Sequence, residues 1–195
     1  MRIESVPQAL IDTSPVAGPF SKYLNWRETE LLIGLAKIVR PRALIEFGVN
    51  EGVTARRVLD NVPTLERYIG IDVPQDYVTP LQCQRAEVPE DAGVYAASDP
   101  RFWLLTVVAP LTADQLEPCD CAFIDGDHSA IGVLRDSELA RELVRPGGMI
   151  VWHDHGNHAA EVTQVLEALA EDRGWPIKAI ANSWLAFCRI NNGKT

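Results

Sequence analysis

Apolar positions along this chain fall into two periods. Leu24, Leu31, Leu32, Leu35, Ile38 and Val39 recur at roughly helical spacing and stop before Pro41, which predicts a helix beginning near Lys22. Residues 43–47, 68–72, 102–108, 121–124 and 149–152 are instead short apolar, aromatic or β-branched runs, the pattern of strands covered on both faces. Between them lie helical patterns at 53–61, stopped by Pro63, at 130–144, closed by the turn Arg145-Pro146-Gly147-Gly148, and at 159–172. The stretch 73–101 has several prolines and no sustained period, so it reads as irregular with room for one helix. Two closing runs, 177–181 and 184–190, are separated only by Asn182-Ser183 and must pair antiparallel as a hairpin.

Strands alternating with helices predict an α/β, Rossmann-like doubly wound sheet, mostly parallel, ending in a C-terminal antiparallel hairpin strand. Residues 1–21, with Pro7, Pro15, Gly18 and Pro19, read as an N-terminal arm or lid, and 22–195 as a single domain. A chain of 195 residues, 47% hydrophobic and 23% charged, is long enough for one sizeable core. The net charge of −9 argues against a nucleic-acid partner, and Arg56-Arg57 is the only adjacent basic pair. No apolar run reaches membrane length, and no signal peptide is read at the start. The four cysteines, Cys83, Cys119, Cys121 and Cys188, lack the C-x2-C spacing of a zinc module. The expectation is a cytoplasmic protein with a small-molecule substrate, no nucleic acid and no membrane; a homo-oligomer stays open.

Candidate chemistry begins at Glu46-Phe47-Gly48-x-Asn50-x-Gly52, an acid at a strand end followed by two glycines across a turn. Glycine lets backbone approach a ligand, and the helix starting at Val53 offers free N–H groups to an anion. The G-x-x-x-G spacing fits the dinucleotide fingerprint G-x-G-x-x-G poorly. A methionine carboxylate at the helix start, with Glu46 near its sulfonium end and a contact from the Thr54 hydroxyl, fits better. Asp72, twenty residues after Gly52, can accept from both hydroxyls of a ribose, which suits NAD and S-adenosylmethionine equally.

Three phrases in this order, Glu46-Phe47-Gly48, Ile124-Asp125-Gly126-Asp127-His128-Ser129, and Pro146-Gly147-Gly148 followed by His153-Asp154, resemble a class I S-adenosylmethionine-dependent methyltransferase. More narrowly, the chain is similar over roughly residues 25–190 to the small O-methyltransferases of the macrocin, rhamnosyl and cephalosporin-cluster type, methyltransferase family 24. The resemblance implies that Glu46, Gly48, Asn50, Gly52, Thr54 and Asp72 line a site for S-adenosylmethionine, with Asp125 beside them. Asn50-Glu51 departs from the third glycine of many methyltransferases.

All four histidines fall at two strand ends, His128 after Asp125 and His153, His155 and His158 around Asp154. In an open parallel sheet those ends line one crevice. Asp125 and Asp154 can share a hard cation such as Mg²⁺, which would lower the pKa of an acceptor hydroxyl, with His155 as a third ligand. Catechol-type methyltransferases resemble this layout, with Asp-Asn where this chain has Asp154-His155, a change that could favour a softer divalent cation. His128, with an ordinary histidine pKa of about 6.5, is the leading general base. Asp127 reads as the cap of the helix near Ala130, His153 as a hydrogen-bonded structural residue, and His158 as a surface residue. Methyl transfer to a hydroxyl of a sugar or natural product is the expected activity. The alternatives are an NAD(P)-dependent oxidoreductase in the same crevice and a non-catalytic S-adenosylmethionine-binding protein.

Overall fold

A computed structural model describes residues 3–19, 24–78 and 88–191. Cys83 and the expected helix start near Lys22 lie outside these residues. The described elements are strands β1 (Glu4–Val6), β2 (Ala43–Phe47), β3 (Arg67–Asp72), β4 (Phe102–Thr106), β5 (Cys119–Ile124), β6 (Val144–Trp152), β7 (Lys178–Ile180) and β8 (Ala186–Arg189). The helices are α1 (Trp26–Val39), α2 (Val53–Asn61), α3 (Ala130–Leu143) and α4 (Val162–Asp172).

All eight strands form one sheet in the order β1-β7-β8-β6-β5-β2-β3-β4. The pairs among β2 to β6 are parallel, and β8 is inserted antiparallel between β6 and β7. This is the class I methyltransferase fold. Every residue of β2 is buried, as expected of a strand packed on both faces, and the one polar member of its apolar run, Glu46, is buried with the rest. One face carries Leu31, Leu35 and Val58 from α1 and α2 against Tyr68 and Phe123; the other carries Val133, Leu166 and Leu169 from α3 and α4 against Ile45 and Ile124. Trp152 is fully buried, and its indole N–H donates to Ser137 Oγ on α3 at 2.9 Å. No described helix is long and apolar enough to cross a membrane.

Two local expectations change. Residues 4–6, read as part of an arm or lid, form β1, which pairs parallel with β7 in the register Glu4 to Lys178. The segment that follows is pinned to α2: Arg57, fully buried, donates to the carbonyls of Pro19 at 2.8 Å and Leu24 at 3.2 Å, and its guanidinium lies 3.9 Å over the Trp26 ring. The Pro-Gly-Gly turn is absorbed into β6, where the register with β5 shifts between Cys119 and Cys121. Gly147 has φ 88°, a left-handed value suited to glycine, and its N–H donates to Ile190 O at 2.6 Å, so the glycines pair with the end of β8.

Candidate active site

The carboxyl ends of the parallel strands open into a cavity of about 410 Å³. Its walls include the turn after β2, Asp72 at the end of β3, residues 107–111 after β4, Asp125 to His128 after β5, and His153 and Asp154 after β6. Leu24 and Trp184 border it from the flanks. The strand-end rule of open α/β sheets thus places both sequence motifs on one cavity.

At one end is the glycine turn. Gly48 has φ 83°, and a Cβ there would collide with the Asp125 carbonyl oxygen and lie 2.5 Å from Gly126 Cα. Gly52, at φ 82°, is packed against Gly93, whose N–H donates to Asn50 O at 2.7 Å. Asn50 stands at φ 50°, so asparagine supplies the left-handed conformation that a third glycine would give. Asp72 holds this turn in shape: its Oδ2 accepts from the N–H groups of Val49 at 2.8 Å and Asn50 at 2.6 Å, and Oδ1 from Val73 N at 2.7 Å. Desolvation raises the Asp72 pKa against the pull of those three bonds.

Of the expected cofactor residues, Gly48, Asn50, Thr54, Asp72 and Asp125 line the cavity, while Glu46 and Gly52 stand behind its wall. Glu46 is 1% exposed and accepts from the buried Tyr68 hydroxyl at 2.9 Å. Burial pushes its pKa well above the carboxylate range, with the charges of Asp125 and Asp72 adding to the effect.

At the other end, Asp125, His128 and Asp154 bring one potential ligand atom each within 4.8 Å of one another. His128 Nε2 lies 3.0 Å from Asp154 Oδ2 and 3.9 Å from Asp125 Oδ1. That nitrogen is buried but is not aligned for a hydrogen bond with any partner. Asp154 adopts φ 61°, an uncommon left-handed value for an aspartate, and its Oδ1 accepts from Asn157 Nδ2 at 2.6 Å. Burial alone would raise the Asp154 pKa, but His128 and His153 outweigh it and hold the acid far below the carboxylate range. Asp125 is lowered by the same two histidines against desolvation.

Three sequence expectations are corrected here. His128 does not keep an ordinary histidine pKa: burial works to lower it, but the two carboxylates prevail and push it up to about 10. As it stands, the ring is cationic at neutral pH and cannot take a proton. His155 is not the third member of the acidic group: the chain turns at Asp154, and His155 N–H donates to Trp184 O at 2.9 Å. Asp127 does not cap α3. Ser129 does, accepting from Gly132 N at 3.2 Å, while Asp127 Oδ1 accepts from Ser129 N at 2.9 Å. His158 is exposed, as expected.

Behind Asp125, His128 and Asp154 stand His153, hydrogen-bonded as the sequence suggested, and Glu28, which the sequence reading did not single out. His153 Nδ1 is 3.2 Å from both Asp125 Oδ1 and Asp154 Oδ2, and Nε2 is 3.4 Å from Glu28 Oε2. Its pKa is raised well above the histidine value: burial opposes this, but the three surrounding carboxylates prevail. Glu28 sits in the first turn of α1 and is 5% exposed. A sequence signal existed in the capping pair Asn25-x-x-Glu28, in which Glu28 N–H donates to Asn25 Oδ1 at 2.9 Å and Asn25 Nδ2 donates back to Glu28 Oε2 at 2.6 Å.

A family model described as a methyltransferase domain matches residues 45–155. No curated protein matches the chain. Among solved structures, the SAH-bound methyltransferase PaMTH1 of Podospora anserina aligns with a TM-score of 0.62 at 15% identity, over 86% of this chain and 80% of that one. An O-methyltransferase from Bacillus cereus in complex with SAH aligns with a TM-score of 0.60 at 16% identity, over 89% and 83% of the two chains. TomG of Streptomyces achromogenes, an O-methyltransferase involved in tomaymycin synthesis and solved with SAM, gives 0.60 at 15% identity over 86% and 81%. At these identities the likeness is one of fold.

Proposed function

Because the chain belongs to the methyltransferase-domain family, we propose that it moves the methyl group of S-adenosylmethionine to a hydroxyl of a small molecule. One observation carries this reading: the glycine turn and the Asp125, His128, Asp154 group face the same cavity. The methionine carboxylate would meet the N–H groups at the start of α2 together with Thr54, and the ribose would meet Asp72. The cavity of about 410 Å³ is of a size that takes a small-molecule cofactor.

The oxygen-rich donor set of Asp125 and Asp154 fits a hard divalent cation such as Mg²⁺ or Mn²⁺. When bound, such an ion lowers the pKa of an acceptor hydroxyl. His128, whose buried Nε2 lies 3.0 Å from Asp154 Oδ2, is then the group placed to receive the hydroxyl proton, because charge taken off the two carboxylates removes what keeps that ring protonated. Leu24 and Trp184 would keep bulk water from the reacting end. The buried thiols of Cys119, Cys121 and Cys188 suit a reducing, cytoplasmic setting.

Calorimetric titration of the full chain with S-adenosylhomocysteine, with and without Mg²⁺, tests the reading. Micromolar binding is expected. No binding in either condition, with binding of NAD(P) instead, would return the chain to the oxidoreductase alternative.

A further inference from the structure

Among the described residues, five ionisable side chains meet at the reacting end, Asp125, Asp154, His128, Glu28 and His153, and methyl transfer as proposed uses the first three. The remaining two, Glu28 and His153, are buried at 5% exposure each. A buried carboxylate without a partner is strongly unfavourable, so Glu28 is retained where its contacts offset that cost.

Those contacts form a chain. Glu28 Oε1 accepts from the backbone N–H of Trp184, in the turn between β7 and β8, at 2.8 Å. Oε2 accepts from Asn25 Nδ2 at 2.6 Å and faces His153 Nε2 at 3.4 Å. The opposite nitrogen of the same ring, Nδ1, stands 3.2 Å from one oxygen of each aspartate. The Trp184 ring meets the imidazole edge-on with centroids 6.0 Å apart, which fixes the plane of the ring. His153 is therefore a strut whose far end is set by Glu28 and whose near end touches both Asp125 and Asp154.

We propose that Glu28 and His153 are positioning residues that hold the Asp125 and Asp154 carboxylates at the spacing a divalent cation needs. This inference rests on the cation reading above. Partners of this kind, one shell out from the ligands, orient the ligating groups and tune affinity without touching the ion. Here they also join that orientation to the first turn of α1 and to the β7–β8 turn, which border the cavity through Leu24 and Trp184.

The test is Mn²⁺ affinity, read by electron paramagnetic resonance on the full chain, alongside S-adenosylhomocysteine affinity in the absence of metal. Glu28→Gln keeps the size of the side chain, but its single carbonyl oxygen cannot accept from Trp184 N–H on one side and from Asn25 and His153 on the other. It is expected to weaken Mn²⁺ binding by about tenfold, the lower end for such partners, and to leave S-adenosylhomocysteine binding unchanged. His153→Asn, whose amide can stand where Nδ1 does, is expected to bind Mn²⁺ more tightly than His153→Ala. Glu30→Gln, on the solvent side of the same helix turn in an ion pair with Arg27, should behave as the unaltered protein.

Unchanged Mn²⁺ affinity in Glu28→Gln and in both His153 variants would overturn the proposal while leaving the cation reading intact. A joint loss of Mn²⁺ and S-adenosylhomocysteine binding would also overturn it, because it would mark a general structural role. An unaltered protein that binds S-adenosylhomocysteine but no Mn²⁺ would overturn the cation reading and this inference together, and leave methyl transfer standing.

Discussion

Gly48 and Asp125 share one small space: the turn that would receive the cofactor passes so close to the end of β5 that a Cβ on Gly48 would overlap the Asp125 carbonyl oxygen. The obstruction is backbone on both sides, so neither partner can move without shifting a central strand. Gly48→Ala also places an L side chain at φ 83°. The two effects together are expected to cost about 3 kcal/mol or more, a fall in Tm of roughly 6–12 °C for a domain of this size. Differential scanning calorimetry checks it, and a fall of less than 2 °C would mean that the two strand ends tolerate separation.

Asn50 offers the complementary test. Its left-handed φ of 50° suits asparagine and glycine and penalises branched side chains. Asn50→Gly should leave urea stability within about 0.5 kcal/mol, whereas Asn50→Val should lose about 1–2 kcal/mol. Equal stability of the two variants would show that the turn relaxes out of this conformation.

His128→Gln separates proton acceptor from metal ligand. If His128 removes the proton, turnover should fall by about 10²–10⁴-fold while Mn²⁺ affinity stays within a few-fold of the unaltered protein. A parallel loss of Mn²⁺ binding would reassign His128 as a ligand. Chelation of the protein should abolish activity, and added Mg²⁺ should restore it.

Without a cation, the same residues set the pH dependence of stability. His128 is raised from 6.5 to about 10, so its stabilisation is complete below 6.5 and is lost as the pH climbs through 10. Asp154 is lowered from 3.8, so its contribution is complete above that value and is lost as the pH falls below it. The Tm gap between the unaltered protein and His128→Gln in chelator should therefore be widest between about pH 4 and 6.5 and close toward pH 10. A gap that does not change with pH would show that the imidazole contributes packing alone.

The central strands were legible in the sequence because burial on both faces leaves short, mostly apolar runs, as in β2 and β5, where Glu46 and Asp120 are the only charged members. Asp125, His128, Asp154 and Asp72 were legible because strand ends in such a sheet converge. Strand β1 was not legible, since Glu4-Ser5-Val6 carries no period and finds its partner 174 residues away. The expected place of His155 beside the two aspartates does not hold, for a physical reason, whereas His153 is the hydrogen-bonded residue the sequence suggested. Strand alternation would put both on one side, but β6 ends at Trp152 and the left-handed turn at Asp154 sends His155 elsewhere. Glu28 was hidden because helical periodicity marks apolar faces. A charge on such a face shows its purpose only when the partner element is in place.

The pairing of Glu4–Val6 with Lys178–Ile180 sets an order of events during synthesis. Strand β1 must wait for β7, 174 residues later in the chain, before it can join the sheet, and Glu28 waits likewise for Trp184. Contacts of such long sequence separation form late in folding. A nascent chain halted before the closing hairpin would carry the glycine turn and both aspartates in nearly finished strands, yet hold an open sheet edge and lack the Trp184 N–H that Glu28 accepts from. Partial translation products should therefore be recognised by chaperones rather than accumulate as partly active enzyme.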